Sequence, residues 1–246
     1  KIFQAPPLNY VVLILCFILR SVHTIIYANI ETNGNSFISW MFNYTSKGSA
    51  KMNSALCATT GFVGFAFLLC YVWTGAAKRV TNIMGILIGV CLCFVFILGS
   101  FPYPSYDGFI VNQNCTNKYT WCSSTPSISF PLYVIVYILI CSIGFPLLTV
   151  HTSALLAKTL EGRKQAHWHG LSNFICTAAR IAAGPIMGKA LQDKGIEFTW
   201  YLQMGLIAPT IITVVIFSRL NSTLKLSELK PLFRRILRHG KMQKDE

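Results

Sequence analysis

Residues 8–30 read LNYVVLILCFILRSVHTIIYANI, a run whose only basic side chains are Arg20 and His23. About 20 mostly apolar residues are enough for a helix to cross a bilayer. Lipid offers the backbone no hydrogen-bond partner, so such a run must satisfy its own N–H and C=O groups, which a helix does. The run is too long for a removable signal peptide, lacks a small-residue cleavage site and is followed by more of its kind. With it, six apolar stretches fill the chain of 246 residues: 9–30, 54–75, 80–101, 128–158, 170–191 and 198–220. The sequence predicts an all-α polytopic membrane protein, with a six-helix transmembrane domain over 1–220 and a cytosolic basic tail over 221–246.

Composition narrows the alternatives. Hydrophobic residues make up 53% and charged residues 12%, against about 25% charged in soluble domains. A net charge of +13 would suit nucleic acid. The basic residues, however, sit in short connections and in the tail, so the expected partner is membrane lipid and not nucleic acid. The chain begins at Lys1, not at methionine, which suggests a fragment with material upstream.

An even number of spans puts both termini on one side. Of the 21 Lys and Arg, fourteen fall on that side, five opposite, and Arg20 and Arg180 inside spans. The excess of positive charge places the termini in the cytosol. Two glycosylation sequons, at Asn43 and Asn114, fall in the two large outer loops, and a third at Asn221 falls on the cytosolic side. Cys115 and Cys122 share the second outer loop. An oxidising exterior would permit a disulfide there, and two free thiols are the alternative.

Inside the spans, Arg20 and His23 are three apart and share a helix face. Gly85 and Gly89, and again Gly184 and Gly188, have the small-xxx-small spacing that lets helices approach closely. Tyr137, Gly144 and His151 recur every seven residues and form one stripe. Gly144-Phe-Pro146 should bend the fourth stretch, and Arg180 lies at mid-depth just before Gly184-Pro185. Trp200 and Tyr201 read as interface anchors. In the tail, Leu229, Leu232, Phe233, Ile236 and Leu237 recur at helical spacing among basic residues. That pattern describes an amphipathic helix on an anionic leaflet, with a disordered basic tail as the alternative.

The segment IGFPLLTVHTSALLAKTLEGRKQAHWHGLSNFICTAARIAAGP, residues 143–185, resembles helices ten and eleven of the major facilitator superfamily, most of all its lysosomal ceroid-lipofuscinosis group. Gly144-Phe-Pro146, the basic link Arg163-Lys-Gln, Gly170, and Ala179-Arg180 before Gly184-Pro185 follow in that group's order. The resemblance implies that the chain is the C-terminal half of a twelve-helix carrier whose N-terminal six-helix half is missing. It also implies a lysosomal or other endomembrane location. The basic link at 75–79 departs from the superfamily's Gly-x-x-x-Asp-Arg loop, because it has no acid.

None of the eight acidic residues falls within the six stretches, so the intramembrane ionisable groups are Arg20, His23, His151 and Arg180. Buried cations are expensive and have a partner or a wet cavity. Here the options are acids of the missing half, backbone carbonyls, or an anion in the pathway. In the superfamily, helices seven, ten and eleven line the central cavity, and a cavity with positive groups would focus a field that attracts anions. Arg20, His23, Tyr137, His151 and Arg180 are therefore the candidate solute-binding set, and His23 would gain charge in an acidic lumen. The expected function is transport of a small anionic solute by alternating access. An anion channel on the same scaffold and a non-transporting membrane protein remain alternatives. No enzyme motif lies in the spans, no cofactor is implied, and His167-Trp-His169 lacks a third metal ligand nearby.

Overall fold

The run around Arg20 forms a helix that outlasts its apolar stretch. A computed structural model describes residues 10–106, 108–160 and 165–242, without the side chains of Asn114 and of 220–242. In it α1 spans Tyr10–Met41. Positions 30, 34, 37, 38 and 41 share one helical face, and Ile30, Phe37, Ile38 and Met41 are buried in the main core. Burial of that face carries the helix through Glu31-Thr-Asn-Gly-Asn35. The α2 helix, Ser46–Trp73, starts just afterwards, with the Thr45 hydroxyl accepting from the Gly48 N–H at 3.2 Å as an N-cap. The connection between α1 and α2 is therefore residues 42–45, not the long loop expected around Asn43. Asn43 makes the turn there with φ 55° and is exposed.

The short α3, Ala76–Arg79, leads into α4, Asn82–Gly99. The connection after α4 holds α5, Gln113–Thr116, and a 3-10 turn, Cys122–Ser124, and a disulfide joins Cys115 to Cys122. Next comes α6, Phe130–Thr159, with Pro146 inside it. Helices α4 and α6 meet through missing side chains. A Cβ on Gly89 would stand 2.9 Å from the Leu148 backbone nitrogen, and one on Gly144 would stand 3.1 Å from Leu92 Cβ. A Cβ on Gly85 would enter the His151 ring. Close approach through glycine is a main source of helix association where apolar burial drives little.

The last helix, α7, runs Gln165–Met242 but is broken at Gly195, where φ is 91° and ψ −178°. Glycine adopts that backbone without the strain a Cβ would bring. Before Gly195, Ser172 meets Arg20, Gly184 faces Thr32 and Gly188 faces Asn33, so the chain runs in the same direction as α1. After Gly195, Trp200 stacks on Phe37 at 5.3 Å and Val214 clusters with Leu15 and Leu19, so it runs back. The Trp121 ring covers the turn: its Nε1 donates to the Gln192 carbonyl at 3.1 Å, and its ring fills the space a Gly195 Cβ would need.

Five helices, α1, α2, α4, α6 and α7, are long and apolar enough to cross a membrane, and the described residues hold no strand. This all-α build suits an integral membrane protein. Trp200 is not an interface anchor. It is buried, stacked on Phe37, and its Nε1 donates to the Ser100 carbonyl at 2.7 Å. Tyr201 is exposed and meets Phe101 edge-on. The tail's apolar pattern from Leu229 to Leu237 and the Asn221 sequon involve side chains outside the described residues.

Candidate functional site

The polar groups of α1 line up. Positions 20, 27 and 31 are seven and four apart and share a stripe, and on α7 positions 173 and 180 do the same. The two stripes face each other. Arg20 Nη1 donates to Ser172 Oγ at 3.0 Å, and its Nη2 donates to Asn173 Oδ1 at 2.7 Å. Further along, Arg180 forms an ion pair with Glu31, and its guanidinium carbon lies 5.8 Å from the centre of the Tyr27 ring.

That ion pair corrects the placing of the acids. Glu31 lies inside α1, about ten residues or 15 Å from the helix end, because the helix continues past residue 30. Arg180 thus has a carboxylate partner within the same chain and is not a free cation facing an anion. The pair is open to the surroundings, with the side chains 49% and 33% exposed. Arg20 differs: both its partners are neutral, and among the described residues no carboxylate forms an ion pair with it. Its guanidinium keeps charge and donors available for a planar anion.

The other candidate residues do not join this row. His23 turns toward α6, its ring 5.1 Å from that of Phe145, and its buried Nε2 has no partner among the described residues. His151 is buried, 2.9 Å from the Tyr71 hydroxyl, and packs over Gly85. Tyr137 is buried with its hydroxyl 3.5 Å from Cys57 Sγ. The Tyr137–Gly144–His151 stripe therefore joins α6 to α2 and α4 and does not meet the arginines. Gly184 and Gly188 lie along the same α1–α7 seam, but a Cβ there would stand 3.7 Å from Thr32 Oγ1 and 3.8 Å from Asn33 Oδ1, so the close approach expected from their spacing is not made, and Pro185 sits between them within α7.

A cavity of about 330 Å³ opens beside the row, between α1, α2 and α6, with Tyr27 shared between the two. Sequence reasoning missed Tyr27, Glu31, Ser172 and Asn173. The signal was present: Tyr27 and Glu31 follow Arg20 by seven and eleven, and Asn173 precedes Arg180 by seven. At the start of α7, His167 meets Trp168 edge-on, and no three His, Cys, Asp or Glu among the described residues are grouped to hold a metal. Asn114 lies on α5, its side chain outside the described residues.

Comparison with family models, with curated proteins and with solved structures finds no match to this chain.

Proposed function

We propose that the chain is one half of a membrane carrier of the major facilitator type, moving a small anionic solute across an endolysosomal membrane by alternating access, with its termini in the cytosol. The hairpin at Gly195 supports counting α7 as two passes, and so a six-pass half. A second six-helix half would cover the face that carries the polar row. The broad apolar exposure of α2, with Phe62, Phe65, Leu69 and Trp73 outward, suits packing against that half or lipid.

The observation that carries the reading is Arg20, a guanidinium about 15 Å into α1 from its start, held only by Ser172 and Asn173 among the described residues. A charge so placed is expensive unless it meets water or a counter-ion. A solute carboxylate or phosphate supplies that counter-ion and forms the stronger, charge-assisted bonds. Because Glu31 neutralises Arg180, Arg20 sets the sign of the row. The Glu31–Arg180 pair ties α1 to α7 so that both move together when one half rocks against the other.

In full-length protein, Arg20→Gln should lower anion uptake at least about tenfold, a loss of about 1.4 kcal/mol or more, while the amount of folded protein is kept. Uptake equal to that of the unaltered carrier would overturn the assignment of Arg20.

A further inference from the structure

Residues lining the cavity beside the polar row include two whose hydroxyls have no partner among the described residues. Helical hydroxyls in this protein normally turn back on the carbonyl four residues earlier. Thr32, Thr149 and Thr210 all do so, at 2.7–2.9 Å. Thr60 and Ser142, which face each other across the cavity from α2 and α6, do not. Their hydroxyls are buried without a partner among the described residues, and Ser142 as a whole is 1% exposed. The Ser142 carbonyl would bond the N–H of residue 146, but residue 146 is proline and has none. Gly64 of α2 packs its backbone against that carbonyl, where a Cβ would stand 3.1 Å from it, so the helix contact covers it and the two hydroxyls are what remain for a guest.

Two unspent hydroxyls, each able to donate or accept, thus belong to residues lining one cavity. A buried hydroxyl or carbonyl left unpaired costs free energy, so the space favours a group that fills both roles. An alcohol does: its O–H donates to one of the two hydroxyls while its oxygen accepts from the other. None of the residues lining the cavity is charged, and Phe65, Leu68, Phe145 and Pro146 make its walls largely apolar. The end that enters must therefore be uncharged. Tyr27 lines the cavity and lies seven residues from Arg20 on the same face of α1, so the charged end of the same molecule stays with Arg20.

We propose that this cavity seats the neutral, hydroxyl-bearing end of the transported anion, which makes the solute an amphiphilic hydroxy acid: an apolar body with an alcohol at one end and an acid at the other. The assignment rests on the carrier reading for the acid end.

Cys57 lines the cavity and is exposed, so its alkylation by N-ethylmaleimide reports occupancy. The full-length protein would be placed in liposomes with the other exposed thiols removed by Cys70→Ala and Cys91→Ala. The probes are 3-(4-hydroxyphenyl)propionate and its deoxy counterpart, 3-phenylpropionate. The hydroxylated acid should protect Cys57 at a concentration about fivefold to tenfold lower, the size of one net hydrogen bond. Thr60→Val with Ser142→Ala should erase that preference while leaving protection by the deoxy acid. Thr60→Ser, which keeps a hydroxyl, should retain the preference and guards against a folding defect in the double variant. Equal protection by the two acids, protection by neither, or a preference that survives the double variant would overturn the cavity assignment. Uptake of the same acids reads the carrier separately. Uptake without hydroxyl preference sinks the cavity assignment and leaves the carrier. Preference without uptake supports the cavity as a binding site and sinks the carrier.

Discussion

The α4–α6 crossing and the α1–α7 seam are built from opposite materials. At the crossing, Gly85, Gly89 and Gly144 bring two backbones together, and His151 is buried with Tyr71 as its hydrogen-bond partner among the described residues. At the seam, Arg20, Asn173, Tyr27, Glu31 and Arg180 hold the helices through long polar side chains, half open to the surroundings. Both join helices, but only one can change partners without repacking. A glycine contact has one geometry, because interiors are close-packed and do not deform smoothly. An arginine held by a serine and an asparagine can exchange either for a solute oxygen. In the carrier we propose, the contrast is that between a rigid scaffold and a route.

The comparison can be broken at the crossing first, where the largest effect is expected. Gly89→Val places two methyl groups and a Cβ against the backbone of Leu148, and overpacking of this kind costs about 3 kcal/mol. Thermal unfolding in detergent should show a large loss of stability. A shift as small as that of Gly61→Val, at a glycine with open space around it, would mean that the crossing is loose.

The seam gives the next test. Glu31→Gln leaves Arg180 without its counter-charge and should cost about 1–2 kcal/mol, tempered because both side chains are partly exposed. Adding Arg180→Gln should recover much of that loss, and the double-mutant cycle measures the coupling. Additive losses would show that the pair does not join α1 to α7. A smaller effect is expected for Trp200→Phe, which keeps the stack on Phe37 but gives up the bond to Ser100, a loss of about 1 kcal/mol. The smallest is Tyr71→Phe, about 0.5–1 kcal/mol, since the His151 ring stays wedged over Gly85. Uptake should remain near normal in that variant, because His151 belongs to the scaffold; a large fall in uptake with stability intact would move His151 to the route.

Much of the scaffold was legible in the sequence. Long apolar runs close their backbone bonds in lipid as helices, and Gly85 and Gly89 carried the spacing for close contact. The helix ends were not. Residues 31–35, Glu-Thr-Asn-Gly-Asn, carry turn-forming types, and ending the first span at Ile30 left Glu31 in a loop. What overrides local preference is tertiary: Phe37, Ile38 and Met41 continue the buried face of Ile30, and that periodicity could have extended the helix. Missing it concealed the partner of Arg180. His23 and His151 mislead for a related reason. A histidine within a span looks functional by type, whereas its environment depends on which neighbour its face meets, here Phe145 for one and Gly85 with Tyr71 for the other. Trp200 likewise reads as an anchor by position, and only the reversal at Gly195 brings it onto Phe37.

The most direct measurement of the central claim is the reactivity of a cysteine placed beside Arg20. With Cys57, Cys70 and Cys91 replaced by alanine, Asn173→Cys in the full-length protein should react with membrane-impermeant thiosulfonates added to the water phase. An anionic reagent should react faster than a cationic one of the same size, and Arg20→Gln should remove that difference. If position 173 stays unreactive to both reagents under every condition that supports uptake, Arg20 lies in dry protein and the seam is not a route for anions.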